Sequence, residues 1–155
     1  YKKYVEFARL KENCGGMVIW VLKDSWFEFG SGVIDADGGK KLACKYIKAS
    51  QNPVQVIIDD NGEVFLSNNS TYRYDCKIEL QNSDDNLIMK QAVVSEPFSL
   101  QRIGRVDNGG TGVISKLIYD DGVVTKTIYN HKILSGFPCN FEEYYEFIRK
   151  VGILI

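Results

Sequence analysis

The stretch between residues 53 and 132 determines most of what this chain can fold into. It consists of short runs rich in Val, Ile, Tyr and Phe, and turn sequences such as Asp-Asn-Gly and Asp-Asp-Gly separate them. Such runs predict β-strands, and the alternation from Tyr72 to Leu80 is typical of a strand with one face on a core and one in water. Seven short strands are the number found in an immunoglobulin-like β-sandwich, which we assign to residues 51–135. The predicted strands cover residues 53–59, 63–68, 72–80, 87–94, 98–103, 112–119 and 123–132.

The first fifty residues predict a different kind of structure. Apolar spacing predicts an amphipathic helix over residues 2–13 and a second helix over 40–49, and the run 16–22 predicts a buried strand. A long loop over residues 23–39 connects that strand to the second helix. The order helix, strand, loop, helix is one turn of a parallel α/β fold, and residues 1–50 are too few to close such a fold alone.

A third helix is predicted over residues 140–151, within a C-terminal tail that covers residues 136–155. Asn140 is a suitable N-cap for this helix, and the acidic residues that follow it suit the positive end of the helix dipole. The fold class is therefore mainly β with an α/β piece: a sandwich preceded by a helix-strand-helix unit and followed by a helix. The expected apolar stripe of the last helix consists of Phe141, Tyr144, Tyr145 and Ile148.

Two tryptophans flank a charged pair at the end of the predicted buried strand. Trp20, Asp24 and Trp26 lie where the strands of α/β folds end and where such folds bind their ligands. An indole offers a large rigid apolar face on which a sugar ring can stack. These three residues are therefore candidate substrate-binding residues for a carbohydrate.

The residues after Trp20 form a recognisable succession. Leu22, Asp24, Ser25 and Trp26 are followed by a serine, by Ile-Asp, by a glycine turn and by a Lys-x-Ala-x-x-Tyr helix start over 41–46. This succession resembles the end of the catalytic barrel in glycoside hydrolase family 2, the family of β-galactosidases, β-glucuronidases and β-mannosidases. Lys23 replaces the usual Asn of that pattern, and Phe27 replaces the usual Pro.

The resemblance continues into the second half of the chain. Pro53-Val54 and the run Phe65–Asn69 resemble the start of the sandwich that follows the barrel. Asn130-His131, with Gly136-Phe137-Pro138 after it, resembles the C-terminus of β-mannosidase-type members. Residues 1–50 would then be the terminal helix-strand-helix unit of a TIM-type barrel.

The resemblance implies a hydrolase that removes terminal β-linked sugars with retention and needs no cofactor. Such enzymes use two glutamates roughly 5 Å apart, as acid/base and nucleophile. By position in the family both precede Tyr1, so we expect no catalytic residue in this chain and no activity from it alone. Trp20 would form the floor of the sugar subsite.

Each candidate has a structural alternative. Asp24 could tie down the loop instead of binding sugar hydroxyls, and Trp26 could pack beneath the loop. Glu28, between aromatic residues, has the environment of an acid/base residue, but a solvated loop glutamate is the simpler interpretation. His131 suggests a polar site at the sandwich edge or a local hydrogen bond. The sandwich tyrosines could present a carbohydrate-binding face or lie in the core; they are Tyr72, Tyr74, Tyr119 and Tyr129.

A rival interpretation comes from a different functional class. The chain could be a stand-alone, non-catalytic immunoglobulin-like module for carbohydrate binding or adhesion, with residues 1–50 as an accessory cap. The reading frame before Tyr1 distinguishes the two, because only the hydrolase requires further barrel units and strand-end glutamates. The first residue is Tyr rather than Met, which suggests a piece of a longer polypeptide.

Composition argues against several other partners. The net charge of −1 and the lack of a Lys/Arg run argue against nucleic acid, and no apolar stretch is long enough to cross a membrane. A lone histidine and scattered cysteines match no metal-site spacing, so no metal is expected. Cysteines without such spacing favour reduced thiols and a cytoplasmic location. The apolar surface of residues 1–50 makes a homo-oligomer possible.

Overall fold

The computed structural model describes residues 1–11, 13–26, 30–107, 112–133 and 141–154, which belong to two compact units, Tyr1–Asn52 and Pro53–Ile155. Several positions named above lie outside the described residues: Phe27, Glu28, Gly136, Phe137, Pro138 and Asn140.

Three helices and seven strands make up the regular structure of the described residues. The first unit contains α1 (Lys2–Arg9) and α2 (Leu42–Ser50). The second unit contains β1 (Val54–Ile58), β2 (Glu63–Asn68), β3 (Tyr74–Asn82), β4 (Leu87–Ser95), β5 (Ser99–Arg105), β6 (Val113–Asp120), β7 (Thr125–Lys132) and α3 (Phe141–Leu154).

The seven strands form two antiparallel sheets, which confirms the predicted β-sandwich. One sheet has the order β1-β2-β5 and the other has the order β4-β3-β6-β7. All seven strands were predicted from the sequence, and each end lies within two residues of its predicted position. Local alternation and turn residues suffice to locate such strands, because both signals lie within a few residues of each other.

The core lies between the inner faces of the two sheets. Every second side chain of β1 to β3 and of β6 points inward, as the period of a strand requires. In β3 this inward row runs from Tyr74 to Leu80, as predicted, and the ring centroid of Tyr74 lies 4.8 Å from that of Tyr119. Tyr72 precedes the strand and is exposed. Fully buried members of the core include Val54, Val56, Val64, Leu66, Ile78, Leu80 and Leu117.

A buried asparagine fixes one end of the sandwich. Asn68, at the end of β2, is completely inaccessible, and its amide donates to the carbonyls of Tyr72 (2.8 Å) and Glu96 (2.9 Å). Its Oδ1 accepts from the N–H and the hydroxyl of Ser70 (2.9 and 2.7 Å). One side chain thus connects the β2–β3 loop to the turn between β4 and β5, and each of its polar atoms has a partner.

Carboxamide side chains also connect the two sheets along both sides of the sandwich. The buried Asn130 of β7 donates to the carbonyl of Val56 in β1 at 2.7 Å. On the opposite side, Gln91 of β4 donates to the carbonyl of Ile103 in β5 at 3.1 Å. These four strands are the edges of their sheets, so each pair of neighbouring edges has one such hydrogen bond.

Helix α3 packs on the outer face of the four-stranded sheet, through a different stripe from the predicted one. Phe147 and Val151 are the buried helix residues, one turn apart, and they contact Ile114 of β6. Of the predicted stripe, Ile148 packs here, whereas the side chains of Phe141, Tyr144 and Tyr145 are exposed. The helix is apolar on two sides, and spacing alone does not show which side meets the sheet.

In the first unit, α1 packs against α2, and both helices are shorter than predicted. Val5 is buried, while Phe7 is exposed. The guanidinium of Arg9 donates to the carbonyls of Ser50 (3.2 Å) and Asn52 (2.7 Å). Arg9 thereby caps the carbonyl end of α2, where a positive charge also suits the helix dipole.

The prediction of a buried strand over residues 16–22 was wrong for this chain. These residues form no strand, and the side chains of Val18, Trp20 and Leu22 are 91%, 84% and 64% exposed. A strand needs hydrogen-bonded neighbours. Nearby, the described residues pair only through single bridges, Lys23 with Ile34 and Ile34 with Lys40.

Three of the four cysteines belong to the described residues. Cys14, Cys44 and Cys76 are free, while Cys139 lies outside the described residues. Burial raises the pKa of the Cys76 thiol to about 11, so this thiol stays protonated and unreactive at neutral pH. Among the described residues, no helix is long and apolar enough to span a membrane.

The network around Asn68 leads to a stability prediction. We expect Asn68→Ala to lower the free energy of unfolding by about 3 kcal/mol, because several buried backbone groups lose their partner at once. The neighbouring Asn69 is exposed, and we expect Asn69→Ala to change it by less than about 0.5 kcal/mol. Urea unfolding followed by far-UV circular dichroism measures both. Equal effects of the two substitutions would contradict the role of Asn68.

Candidate functional site

Both tryptophans of the chain belong to the first unit and both are exposed. The side chain of Trp20 is 84% exposed and that of Trp26 is 65% exposed. The peptide bond between Trp20 and Val21 is cis. The indole faces are therefore open within the first unit, as a stacking surface for a ring must be.

Backbone hydrogen bonds hold the residues between the two tryptophans. The N–H of Asp24 donates to the carbonyl of Ile34 (3.0 Å), and the carbonyl of Leu22 accepts from the N–H groups of Val33 and Ile34 (both 3.1 Å). The N–H of Lys41 donates to the carbonyl of Val33 at 3.1 Å. Residues 22–24, 33–34 and the start of α2 thus form one hydrogen-bonded set.

The carboxylate of Asp24 is buried at the centre of this set. Its Oδ1 accepts from the N–H of Gly32 at 2.8 Å, and its Oδ2 accepts from the ammonium of Lys41. The same ammonium donates to the carbonyl of Gly30 at 3.1 Å and lies 3.7 Å from Oδ1 of Asp35. Asp24 is 7% exposed, so its two oxygens face protein groups and not water.

Glycines make room for this carboxylate. A Cβ atom at Gly30 would lie 2.8 Å from Cγ of Asp24, and one at Gly32 would lie 2.8 Å from both Cγ and the backbone nitrogen of Asp24. Real Cβ atoms do not approach other atoms so closely. Any other residue at these positions would displace the carboxylate.

Charge pairing shifts the pKa values of both partners in the expected directions. The hydrogen bond from Lys41, reinforced by the N–H of Gly32, holds the pKa of Asp24 below its ordinary value despite the opposing effect of burial. Asp24 in turn raises the pKa of Lys41. Asp24 is therefore ionised and Lys41 protonated at neutral pH, so the pair is a salt bridge.

The structure brings some sequence-predicted residues together and separates others. Trp20, Asp24 and Trp26 share the first unit, as their spacing requires. His131 belongs to the second unit, where its ring lies edge-on to Phe147 with centroids 6.3 Å apart. Of the sandwich tyrosines, Tyr74, Tyr119 and Tyr129 pack into the two apolar clusters, which confirms the core interpretation for those three.

Sequence reasoning used Lys41 only as part of the helix-start pattern and gave it no partner. Lys41 is the N-cap residue of α2, where a positive charge opposes the helix dipole. A lysine in that position therefore needs an anionic partner from elsewhere. No cluster of metal-binding side chains is found among the described residues.

The fold is that of a β-sandwich protein with a helical unit before the sandwich and a helix after it. No protein-family model matches the chain, and no curated protein sequence matches it. Among solved structures, the chain is similar to a β-D-mannosidase from Dictyoglomus thermophilum, with a TM-score of 0.66 and 18% sequence identity. The match covers 83% of this chain and 18% of that enzyme, so the chain spans less than a fifth of the enzyme's length.

The salt bridge of Asp24 predicts an acid transition localised to the tryptophan segment. Since the pKa of Asp24 is below 3.8 in the folded state, its stabilising contribution is fully present above pH 3.8. The contribution is lost as the pH falls through the lowered folded value. The contribution of Lys41 is present below pH 10.5 and is lost as the pH rises through its raised folded value.

Fluorescence anisotropy of the tryptophans between pH 2 and 7 measures the loss of the Asp24 contribution. We expect constant anisotropy down to about pH 4 and a fall below that, as the segment loosens. Asp24→Asn removes the titrating group and should abolish this step. A midpoint above pH 5 in the unsubstituted chain would contradict the assignment.

Proposed function

We propose that the chain is the C-terminal part of a retaining, exo-acting β-glycosidase of glycoside hydrolase family 2, nearest to the β-mannosidase type. The observation that carries this proposal is the structural match to a β-D-mannosidase over 83% of the chain. The barrel-end residues from Trp20 to Tyr46 support the same conclusion independently, because they were identified from the sequence alone.

The extent of the match supports the proposal for the first unit. The second unit, Pro53–Ile155, accounts for about two thirds of the chain, so a match over 83% of it extends into Tyr1–Asn52. We infer that Tyr1–Asn52 corresponds to the closing helix-strand-helix of a barrel. The exposed run from Met17 to Leu22 would then be the last barrel strand, which pairs with neighbours supplied by the rest of the enzyme.

The second unit fits the immunoglobulin-like domain that follows such a barrel. Its three-stranded and four-stranded antiparallel sheets, together with crossings between sheets after β2, β4 and β5, suit that class of sandwich. In the proposed enzyme this domain braces the barrel and carries the C-terminal helix.

Glu63 and Glu79 of the sandwich are unsuited to the role of general acid. A general acid needs a raised pKa. Ion pairs instead lower the pKa of Glu63, through Arg102 and Arg105, and that of Glu79, through Lys90 and Lys116. By the resemblance to family 2, we place the acid/base and nucleophile glutamates in the preceding part of the enzyme, roughly 5 Å apart as retention requires.

In this enzyme the two tryptophans provide the apolar part of the sugar site. Trp20 would lie beneath the ring of the terminal sugar, and Trp26 would contact it from the side. The aromatic faces bind the C–H surface of the sugar and leave its hydroxyls to polar groups. Because the carboxylate of Asp24 already has Gly32 and Lys41 as partners, its contribution to substrate binding would come through the position of the loop.

The decisive experiment is to recover the reading frame that precedes Tyr1 and to assay both forms on aryl β-D-mannoside and aryl β-D-galactoside. We expect the longer enzyme to release the aryl group with retention and the present chain to show no turnover. Turnover by the chain alone, or an upstream frame without barrel strands and strand-end glutamates, would overturn the proposal.

Within the longer enzyme, we expect Trp20→Ala to lower kcat/KM by roughly 10- to 100-fold, since a lost stacking surface is worth about 1.4 to 2.7 kcal/mol in the transition state. Trp20→Phe should recover part of the loss. Tyr72→Ala, an equally exposed aromatic of the sandwich, serves as the control and should leave kcat/KM within twofold. Equal losses in both variants would argue against a sugar contact at Trp20.

The alternative of a non-catalytic carbohydrate-binding module has one observation in its favour. Tyr72 and Phe98 are exposed at the same end of the sandwich, where the N–H of Phe98 donates to the carbonyl of Ser70 at 3.1 Å. If the chain were such a module, affinity electrophoresis in polysaccharide gels should show retardation that Tyr72→Ala removes. Retardation that Trp20→Ala removes would instead favour the glycosidase site.

A further inference from the structure

Lys41 occupies an electrostatically unfavourable position for a helix start, and its side chain compensates through three partners. Its ammonium donates to the carboxylate of Asp24 and to the carbonyl of Gly30, and it lies 3.7 Å from the carboxylate of Asp35. Asp35 lies in the turn between Ile34 and Lys40, which pair with each other in a single bridge. Three separate stretches of the loop therefore converge on one cation.

Apolar packing within the unit covers little of either indole, whereas the salt bridge in the same segment is sheltered. Both indoles are exposed, whereas the side chains of Asp24 and Lys41 are 5% and 23% accessible. Asp24 lies four residues after Trp20 and two before Trp26. The sheltered salt bridge anchors the backbone at a residue that lies between the two tryptophans in the sequence, and it can thereby fix their direction.

The glycines around Asp24 show that the contact is shaped, not incidental. Space for the carboxylate exists only because Gly30 and Gly32 lack a Cβ atom. The N–H of Gly32 holds the second carboxylate oxygen at 2.8 Å, so the carboxylate cannot rotate away from Lys41 without losing another hydrogen bond.

We propose that Lys41 is a positioning residue for the sugar site: through Asp24 it sets the direction in which Trp20 and Trp26 are presented. The positioning itself stands on the contacts of the first unit. Its meaning for sugar binding rests on the proposed function.

The two indole N–H signals in a ¹H–¹⁵N spectrum of the present chain test the positioning directly, because each of the two tryptophans gives one signal. We expect Lys41→Gln to move both signals toward random-coil positions and to lower the fluorescence anisotropy of the tryptophans. Asp24→Asn should have the same effect, and the double variant should be no worse, because both substitutions break one interaction.

Matched variants separate this effect from general loss of charge or of folding. Lys40→Gln removes the neighbouring exposed charge and should leave both signals in place. Lys41→Arg keeps the charge and should restore them in large part. Gly32→Ala should disturb the signals, whereas Gly15→Ala, whose Cβ would meet nothing within 4 Å, should not. Far-UV circular dichroism checks that the sandwich stays folded in each variant.

Indole signals that are the same in Lys41→Gln and in Lys40→Gln would overturn the proposal. That result does not depend on whether the longer enzyme is a glycosidase. In the longer enzyme, Lys41→Gln should lower kcat/KM on aryl β-mannoside about tenfold without changing the pH profile, because Lys41 does not take part in proton transfer. Displaced indoles with unchanged kcat/KM would overturn the link to the sugar site and leave the contact itself intact.

Discussion

The burial of alternating side chains between two sheets is the constraint on which the second unit depends. Neither sheet could remain in water alone, because each has one face of Val, Ile and Leu that requires the other. Strand register, the inward direction of Tyr74 and the placement of α3 on the opposite face all follow from it. The amide of Asn68 is buried where this packing gives it a full set of partners.

The first unit is organised on a different principle. Its helices pack together, but most of the run from Met17 to Leu22 stays exposed, and polar contacts hold the loop in place. These contacts are the salt bridge of Asp24 and Lys41, with the glycines around it, and the capping of α2 by Arg9. Such a unit holds its local geometry while presenting apolar surface, which suits the position at the end of a barrel that we propose for it.

What the sequence could predict depended on the distance between the residues involved. The seven strands follow from alternation and turn residues a few positions apart. The hydrogen bond from the N–H of Gly122 to the carboxylate of Asp120 is local in the same way. The partners of Asp24 lie 8 and 17 residues away, so only the folded loop shows which ones they are. The predictions for the buried stripe of α3 and for the burial of residues 16–22 were wrong. Both depend on which other part of the protein packs against the segment, and the local sequence does not contain that information.

The amides of Asn130 and Gln91 have a consequence for how the sandwich behaves among other molecules. A sheet edge with free backbone groups is a template on which a foreign strand can pair, and long exposed edges promote aggregation. Here a side chain from the facing sheet already occupies a carbonyl on β1 and another on β5. A strand that approached either edge would have to displace a hydrogen bond before it could form one. The two carboxamides therefore make strand addition at β1 and at β5 less favourable.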